Sequence, residues 1–391
     1  MPPTERAGWH HPFPVRYLLT VEDEDGEDQE WGRCAGASGL FLDPVPPPRE
    51  VFTLRDCAPR GPLHAAVTGA PGALPALGDL FVAAMDHTET LAYWELVDAE
   101  LIAHRPAAAA AGLFDITVAA GVRAEEQWRP LPAQPHFEVQ AGHLAGAPRL
   151  ADCARVDGLF RPREEPPEVP LELVGCEPAE PLLAALRRPR RRPGWGELCA
   201  VDRHGRVYAR HVVGLAIDAA RPSVLGGTLL DVTLADGGAD RPPAAARPVW
   251  AAWYDGIPTE PNQWAQFDTE GRRAWLLLGM RTGEAGPRRP DRSGGVHHLD
   301  GRFVTDVPAA HCALGEALLG PGRYYGWGLG ALADCLGGGF GVQPPFTLVW
   351  HQAAVARRAL AAEVLGPGTH HDYFAELLAL LEERRVRVLL R

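Results

Sequence analysis

The sequence contains no lysine: all 38 of its cationic Lys/Arg positions, in 391 residues, are arginine. That absence removes the P-loop with its phosphate-gripping lysine, Schiff-base and pyridoxal chemistry, and any lysine nucleophile. Serine is almost missing too. Ser38, Ser223 and Ser293 are the only three, and none stands in a G-x-S-x-G elbow, which argues against a serine hydrolase. No apolar run approaches the roughly 18 residues of a membrane span. The opening Met1-Pro2-Pro3-Thr4-Glu5-Arg6 lacks the basic and apolar regions of a signal peptide. Seven cysteines, an odd number without an export signal, are expected as reduced thiols in the cytoplasm. With no H-E-x-x-H motif and no nucleophile–base pair, the chain is expected to be neither an enzyme nor a holder of metal or cofactor.

What is present is ordinary globular composition, 46% hydrophobic and 23% charged, which excludes wholesale disorder. Gly 43 and Pro 38 make the chain turn-rich, and the Arg, Ala, Gly and Pro bias resembles that of a GC-rich bacterial gene. The length predicts two to three domains of roughly 150 residues.

Residues 33–59 align without gaps on residues 152–178. Cys34, Gly39, Leu40, Phe41, Pro47, Pro48, Leu54, Cys57 and Pro59 recur as Cys153, Gly158, Leu159, Phe160, Pro166, Pro167, Leu173, Cys176 and Pro178. Further on, Arg105-Pro106 and Leu113 to Val118 recur as Arg221-Pro222 and Leu229 to Leu234. Two runs in the same order predict a tandem repeat, with modules at 12–128 and 132–247. Short β-branched and aromatic runs between Gly/Pro turns (Val15 to Val21, Val51 to Leu54, Val207 to Val213) make each module β-rich, a small sandwich or barrel.

Residues 248–280 form a bridge rich in tryptophan (Trp250, Trp253, Trp264, Trp275), ending in a helix from Asp268 to Leu278 capped by Asp268 or Thr269. Residues 281–295, rich in Gly, Pro and Arg, read as a linker. Beyond it the texture changes. Phe346 to Trp350 and Val386 to Leu390 are strands, and Ala353 to Leu365 and Tyr373 to Arg384 carry helical spacing. That β–α–β order predicts a small α/β domain with a parallel sheet over residues 296–391, so the chain is multi-domain.

Here Tyr324-Tyr325-Gly326-Trp327-Gly328-Leu329-Gly330-Ala331-Leu332-Ala333-Asp334-Cys335-Leu336, with the strands downstream, resembles the barstar family of ribonuclease inhibitors. The resemblance covers about a quarter of the chain, from about Val296 to Arg391. It implies a parallel three-stranded sheet and a protein partner, a ribonuclease or nuclease toxin whose cationic cleft is blocked by placed carboxylates. Asp334 falls at the family's dominant inhibitory aspartate, Tyr324 at an aromatic contact, Gly326 at a close backbone approach, and Glu382 at one of two glutamates on the last helix. Phe340 stands near a loop aromatic, in a register that differs by two residues. Gly330 and Leu378 replace a second aspartate and the other glutamate, and Ala333 replaces a tryptophan. An immunity or antitoxin role follows from the resemblance. The alternative is an adaptor whose tandem β modules carry the function on a ligand or second partner. No direct contact with nucleic acid or membrane is expected.

Other features have plainer explanations. Gly326 to Ala331 spells G-x-G-x-x-A without the strand before it or the acid after it that a dinucleotide site needs. The matching 23-residue spacings of Cys34/Cys57 and Cys153/Cys176 read as core packing rather than metal pairs. His297-His298 and His370-His371 lie in turn-rich segments without an H-E-x-x-H motif and are not expected to hold a metal. The acidic run Glu22 to Glu30 reads as a solvated hairpin tip, and the arginines at 187–192 as loop variation. Residues 296–391 hold nine acids and eight arginines, so the net charge of −12 lies almost wholly in the first 295 residues.

Overall fold

In the strand Arg49–Pro59, Phe52 and Leu54 alternate toward the core, and the alternation then skips a residue so that Cys57 faces inward too. The skip is a β-bulge at Asp56, whose backbone is left-handed at φ 47. The strand Leu171–Pro178 repeats the device, with Gly175 at φ 59 between Leu173 and Cys176. A computed structural model of the chain describes residues 9–23, 26–69, 76–86, 89–132, 135–142, 148–163, 169–187, 194–238, 241–284, 290–361, 363–364 and 370–391. These divide into two compact units, 1–44 with 166–361 and 373–391, and 45–165 with 362–372.

The β-rich part begins with β1 (Tyr17–Glu22), β2 (Asp28–Ser38), β3 (Arg49–Pro59), helix α1 (Gly61–Thr68), β4 (Ala76–Asp86), β5 (Glu89–Pro106) and β6 (Phe114–Gln127). It continues with β7 (His136–Ala141), β8 (Arg149–Cys153), β9 (Arg155–Asp157), β10 (Leu171–Pro178) and helix α2 (Glu180–Arg187). β11 (Trp195–Val201), β12 (Val207–Gly214), β13 (Ile217–Pro222) and β14 (Leu230–Leu234) complete it.

One sheet runs β6-β5-β4-β7-β8-β3-β9 and closes into a barrel through pairing of β6 with β3. The other runs β12-β11-β1-β2-β10-β14-β13. The β-rich expectation holds, but the sheets do not follow the segments 12–128 and 132–247. β1 and β2 pair with strands of the later segment, and β7 and β8 with strands of the earlier one. Matching residues 119 or 116 positions apart nevertheless take matching geometry. Gly39 and Gly158 both have positive φ, and a Cβ on either would lie 2.8 Å from a carbonyl, that of Pro170 or Val51. Asp115 accepts from the Asp56 amide at 3.4 Å, and Asp231 from that of Gly175 at 2.9 Å. The acidic run flanks the β1–β2 turn as expected, although Glu24 and Asp25 lie outside the described residues, as do arginines 188 and 190–192.

The bridge is helical. Helix α3 (Ala246–Trp253), a short 3₁₀ helix (Gln263–Gln266) and helix α4 (Thr269–Glu284) bury all four tryptophans. Asp268 caps α4, its Oδ1 accepting from the Gly271 amide at 2.8 Å. The helix extends past Leu278 and into the segment read as a linker. Trp264 Nε1 donates to Glu316 at 3.2 Å, and Arg272 pairs with Asp306 at 2.6 Å. The bridge therefore shares one core with elements of its own unit farther along the chain.

After the bridge come β15 (Val296–Asp300), α5 (Val307–Leu319), α6 (Leu329–Leu336), β16 (Phe346–His351), α7 (Ala353–Leu360), the two-residue strands β17 (Glu363–Val364) and β18 (His370–His371), which belong to the other unit, α8 (Tyr373–Glu383) and β19 (Val386–Leu390). β15, β16 and β19 form the expected parallel three-stranded sheet, with Trp350 between Leu299 and Leu390. His297 and His298 are in β15, not in a turn, because the chain has already turned at Gly294 and Gly295. α7 ends at Leu360, short of the expected Leu365. Asp306 starts α5, accepting from the Ala309 amide at 2.7 Å while holding Thr269 and Arg272 of α4.

Candidate functional site

The segment Tyr324 to Leu336 folds back on itself before α6 begins. Gly326 makes the turn at φ 89, and a Cβ there would lie 2.7 Å from the Leu332 backbone. Only glycine fits this approach of loop to helix. Tyr325 is fully buried beside it, its hydroxyl donating to the Val342 carbonyl at 2.7 Å and lying 3.2 Å from that of Cys335. Under the loop, His311 of α5 is buried and bonded to the Tyr373 hydroxyl at 2.7 Å; burial pushes its pKa down to about 4. The loop thus rests on a rigid, neutral floor.

α6 has two faces. Leu332, Cys335 and Leu336 point into the core, whereas Gly330, Asp334 and Gly337 are exposed at helical spacing. Among the described residues no hydrogen bond or ion pair holds the Asp334 carboxylate. It also sits in the last turn of the helix, where the dipole disfavours negative charge by about 0.3–1 kcal/mol. Folding gains nothing visible from this charge. Burial, with a smaller contribution from Asp334, pushes the neighbouring Cys335 thiol up to about 12, so Cys335 is an inert core residue.

Of the other candidates, Tyr324 is half-buried and packed on the core. Gly326 is buried, so its close approach is to α6. Glu382 is exposed on α8, which packs against α6; Leu378, one turn earlier, rests on the hydrophobic core. Phe340 is 43% exposed at the tip of the loop after α6. Asp291 braces that loop on both sides of Phe340, accepting from the Gly339 amide at 2.6 Å and the Gly341 amide at 2.7 Å.

Two residues of this face escaped sequence reasoning. Trp327 is 57% exposed just before α6, a large apolar side chain between two glycines. That setting, an aromatic in a glycine loop, was its only signal. Asp291 lay in a segment with no periodicity, and only the fold brings it to the Phe340 loop. Asp334 is thus an exposed, unencumbered carboxylate, Glu382 an exposed acid on the helix packed against α6, and Trp327 and Phe340 exposed aromatics before and after α6. Residues of these types can supply placed charge and apolar contact.

Among the described residues one group, His136, Glu138 and Asp152, brings possible metal-ligating atoms within 4.8 Å of one another. Arg149 pairs with Glu138 at 2.9 Å and also with Asp152, and Arg60 reaches Asp152 at 2.6 Å, so cations already neutralise this cluster. No helix among the described residues is long and apolar enough to cross a membrane.

Compared with known families, residues 295–387 match the model of barstar, the barnase inhibitor. The match covers the C-terminal quarter and includes the turn at Gly326, helix α6, strands β15 and β16, and the first two residues of β19. No curated protein and no solved structure matches the chain.

Proposed function

We propose that the C-terminal domain inhibits a ribonuclease or related nuclease toxin by occupying its active site, as an intracellular immunity protein or antitoxin. The observation that carries this is Asp334: within a segment matching the barstar family, it is an exposed acid that helix stability does not call for. A nuclease cleft gathers cations to hold RNA, so a carboxylate placed there meets a preformed positive field and excludes substrate. Asp334 is the central anion, Tyr324 and Phe340 are contacts, and Glu382 lies at the edge. Gly326 acts through the loop it shapes.

With Gly330 and Leu378 at two family acid positions, the partner's cleft pairs less charge and more apolar surface, met by Trp327. Occlusion of this kind needs no chemistry from the inhibitor, so the protein is not an enzyme in this account. The β-rich half is a pair of duplicated modules that exchange their first two strands, and it is free to serve a second partner.

The test uses the full chain, because Trp264 and Arg272 pack the bridge onto α5 and a cut at 295 would expose that core. The immobilised chain should retain an RNA-cleaving protein from cells or medium of its source, and the Asp334→Ala chain should release it. Passage of all RNA-cleaving activity, with other proteins held equally by both chains, would sink the inhibitor and favour the adaptor. The exchange makes its own demand: fragments 9–128 and 129–391 should fold only when mixed, and a separately folded 9–128 would contradict it.

A further inference from the structure

Four of the seven cysteines meet as two buried pairs, one in each β sheet. Cys34 on β2 is directly opposite Cys176 on β10. Cys57 on β3 meets Cys153 on β8, sulfur to sulfur at 3.1 Å. The register of that ladder, Ala58 opposite Asp152 and Pro59 opposite Ala151, sets these two opposite each other as well. Opposed residues in antiparallel strands have Cα atoms about 4.5–5.5 Å apart, within the roughly 4.4–6.8 Å that a disulfide spans. A contact of 3.1 Å leaves only a small side-chain rotation before the sulfurs can bond. The remaining cysteines differ. Cys199 lies 3.6 Å from the Thr20 hydroxyl, Cys312 donates to the Arg272 carbonyl at 3.8 Å, and Cys335 is on the buried face of α6.

We propose that Cys34–Cys176 and Cys57–Cys153 are two disulfide-forming pairs, one clamp in each β sheet. Each clamp ties together strands that the chain supplies from far apart, 142 and 96 positions respectively. Each therefore fastens an exchanged pair of strands to its host sheet. The proposal rests on the observed strand pairing and is independent of nuclease inhibition.

With a small disulfide such as oxidised glutathione as oxidant, one cysteine thiolate attacks a glutathione sulfur and expels one glutathione thiolate. The partner cysteine then displaces the second glutathione from the mixed disulfide. Each pair loses two electrons and two protons overall, and two glutathione thiols form. In the folded protein a bond from the neighbouring thiol, together with burial, holds the Cys34 and Cys153 thiols well above the ordinary thiol range. The folded chain therefore oxidises slowly: the clamps close when it folds in an oxidising medium and stay open in the reducing cytoplasm of the proposed function.

The full chain, unfolded in urea and refolded with mixed reduced and oxidised glutathione, tests this. After denaturation only three of the seven thiols should remain titratable. Peptide mapping should find Cys34 joined to Cys176 and Cys57 joined to Cys153, and the urea midpoint should exceed that of the chain refolded under reductant. Seven free thiols, or Cys34 joined to Cys57, would overturn the proposal. A Cys57→Ser, Cys153→Ser double variant guards against trapping of misfolded chains. It must still yield the Cys34–Cys176 peptide, and loss of that peptide from a variant that folds under reductant also overturns the proposal.

Discussion

Beneath α6, each position is constrained by its neighbours: Gly326 by the Leu332 backbone, Tyr325 by two carbonyls, His311 by the Tyr373 hydroxyl. On the outer face of the same helix Gly330 and Asp334 meet no such demand, and Gly330 here and Leu378 on α8 stand where the resemblance to the family implies carboxylates. Core positions answer to packing within the chain, whereas in the proposed function the face answers to a partner outside it. A scaffold can therefore be kept while the chemistry it presents changes.

Substitutions below and above the helix should separate these two roles. The largest effect is expected below it, from Gly326→Ala. The positive φ costs about 1–2 kcal/mol and relief of the clash about 1–3 more. Urea unfolding should show a loss of roughly 3 kcal/mol; a change under about 1 kcal/mol would mean that loop and helix part easily.

Acid should act on the same floor. His311 titrates near 4 when folded and near its ordinary 6.5 when unfolded, so below 6.5 the unfolded chain binds the extra proton. Its contribution is complete above pH 6.5 and is lost as the pH falls toward 4, about 3 kcal/mol in all. Urea midpoints measured across that window should fall in the native chain and fall less in His311→Gln. Equal slopes would remove His311 from the account.

Above the helix the pattern should invert. Trp327→Ala should leave the urea midpoint unchanged and weaken partner binding by about 1–2 kcal/mol. Asp291→Ala should free the Phe340 loop and weaken binding by about 1 kcal/mol or less, the ordering cost of a few side chains. Calorimetry with the captured nuclease checks both, and a loss of folding from either would place it with the core.

Much of the C-terminal domain was legible because its periods are local. The stripe Phe374, Leu377, Leu381 marks α8, Asp268 marks the start of α4, and the runs at 346–350 and 386–390 mark parallel strands. Strand partners were not legible, since alternation tells which face of a strand is buried and not which strand lies beside it. Cys34 and Cys176 show the difference: the sequence spaced each 23 residues from another cysteine, and the fold pairs them with each other, 142 positions apart. Asp291 was hidden for a similar reason, because its two amide partners lie about 50 residues away.

The most direct measurement compares the native chain with Asp334→Ala for both nuclease affinity and urea stability. The account predicts a binding loss of at least about 2 kcal/mol, roughly 30-fold in Kd, with stability unchanged or slightly higher once the acid leaves the helix C-terminus. Unchanged affinity, or a binding loss matched by lost stability, would contradict it.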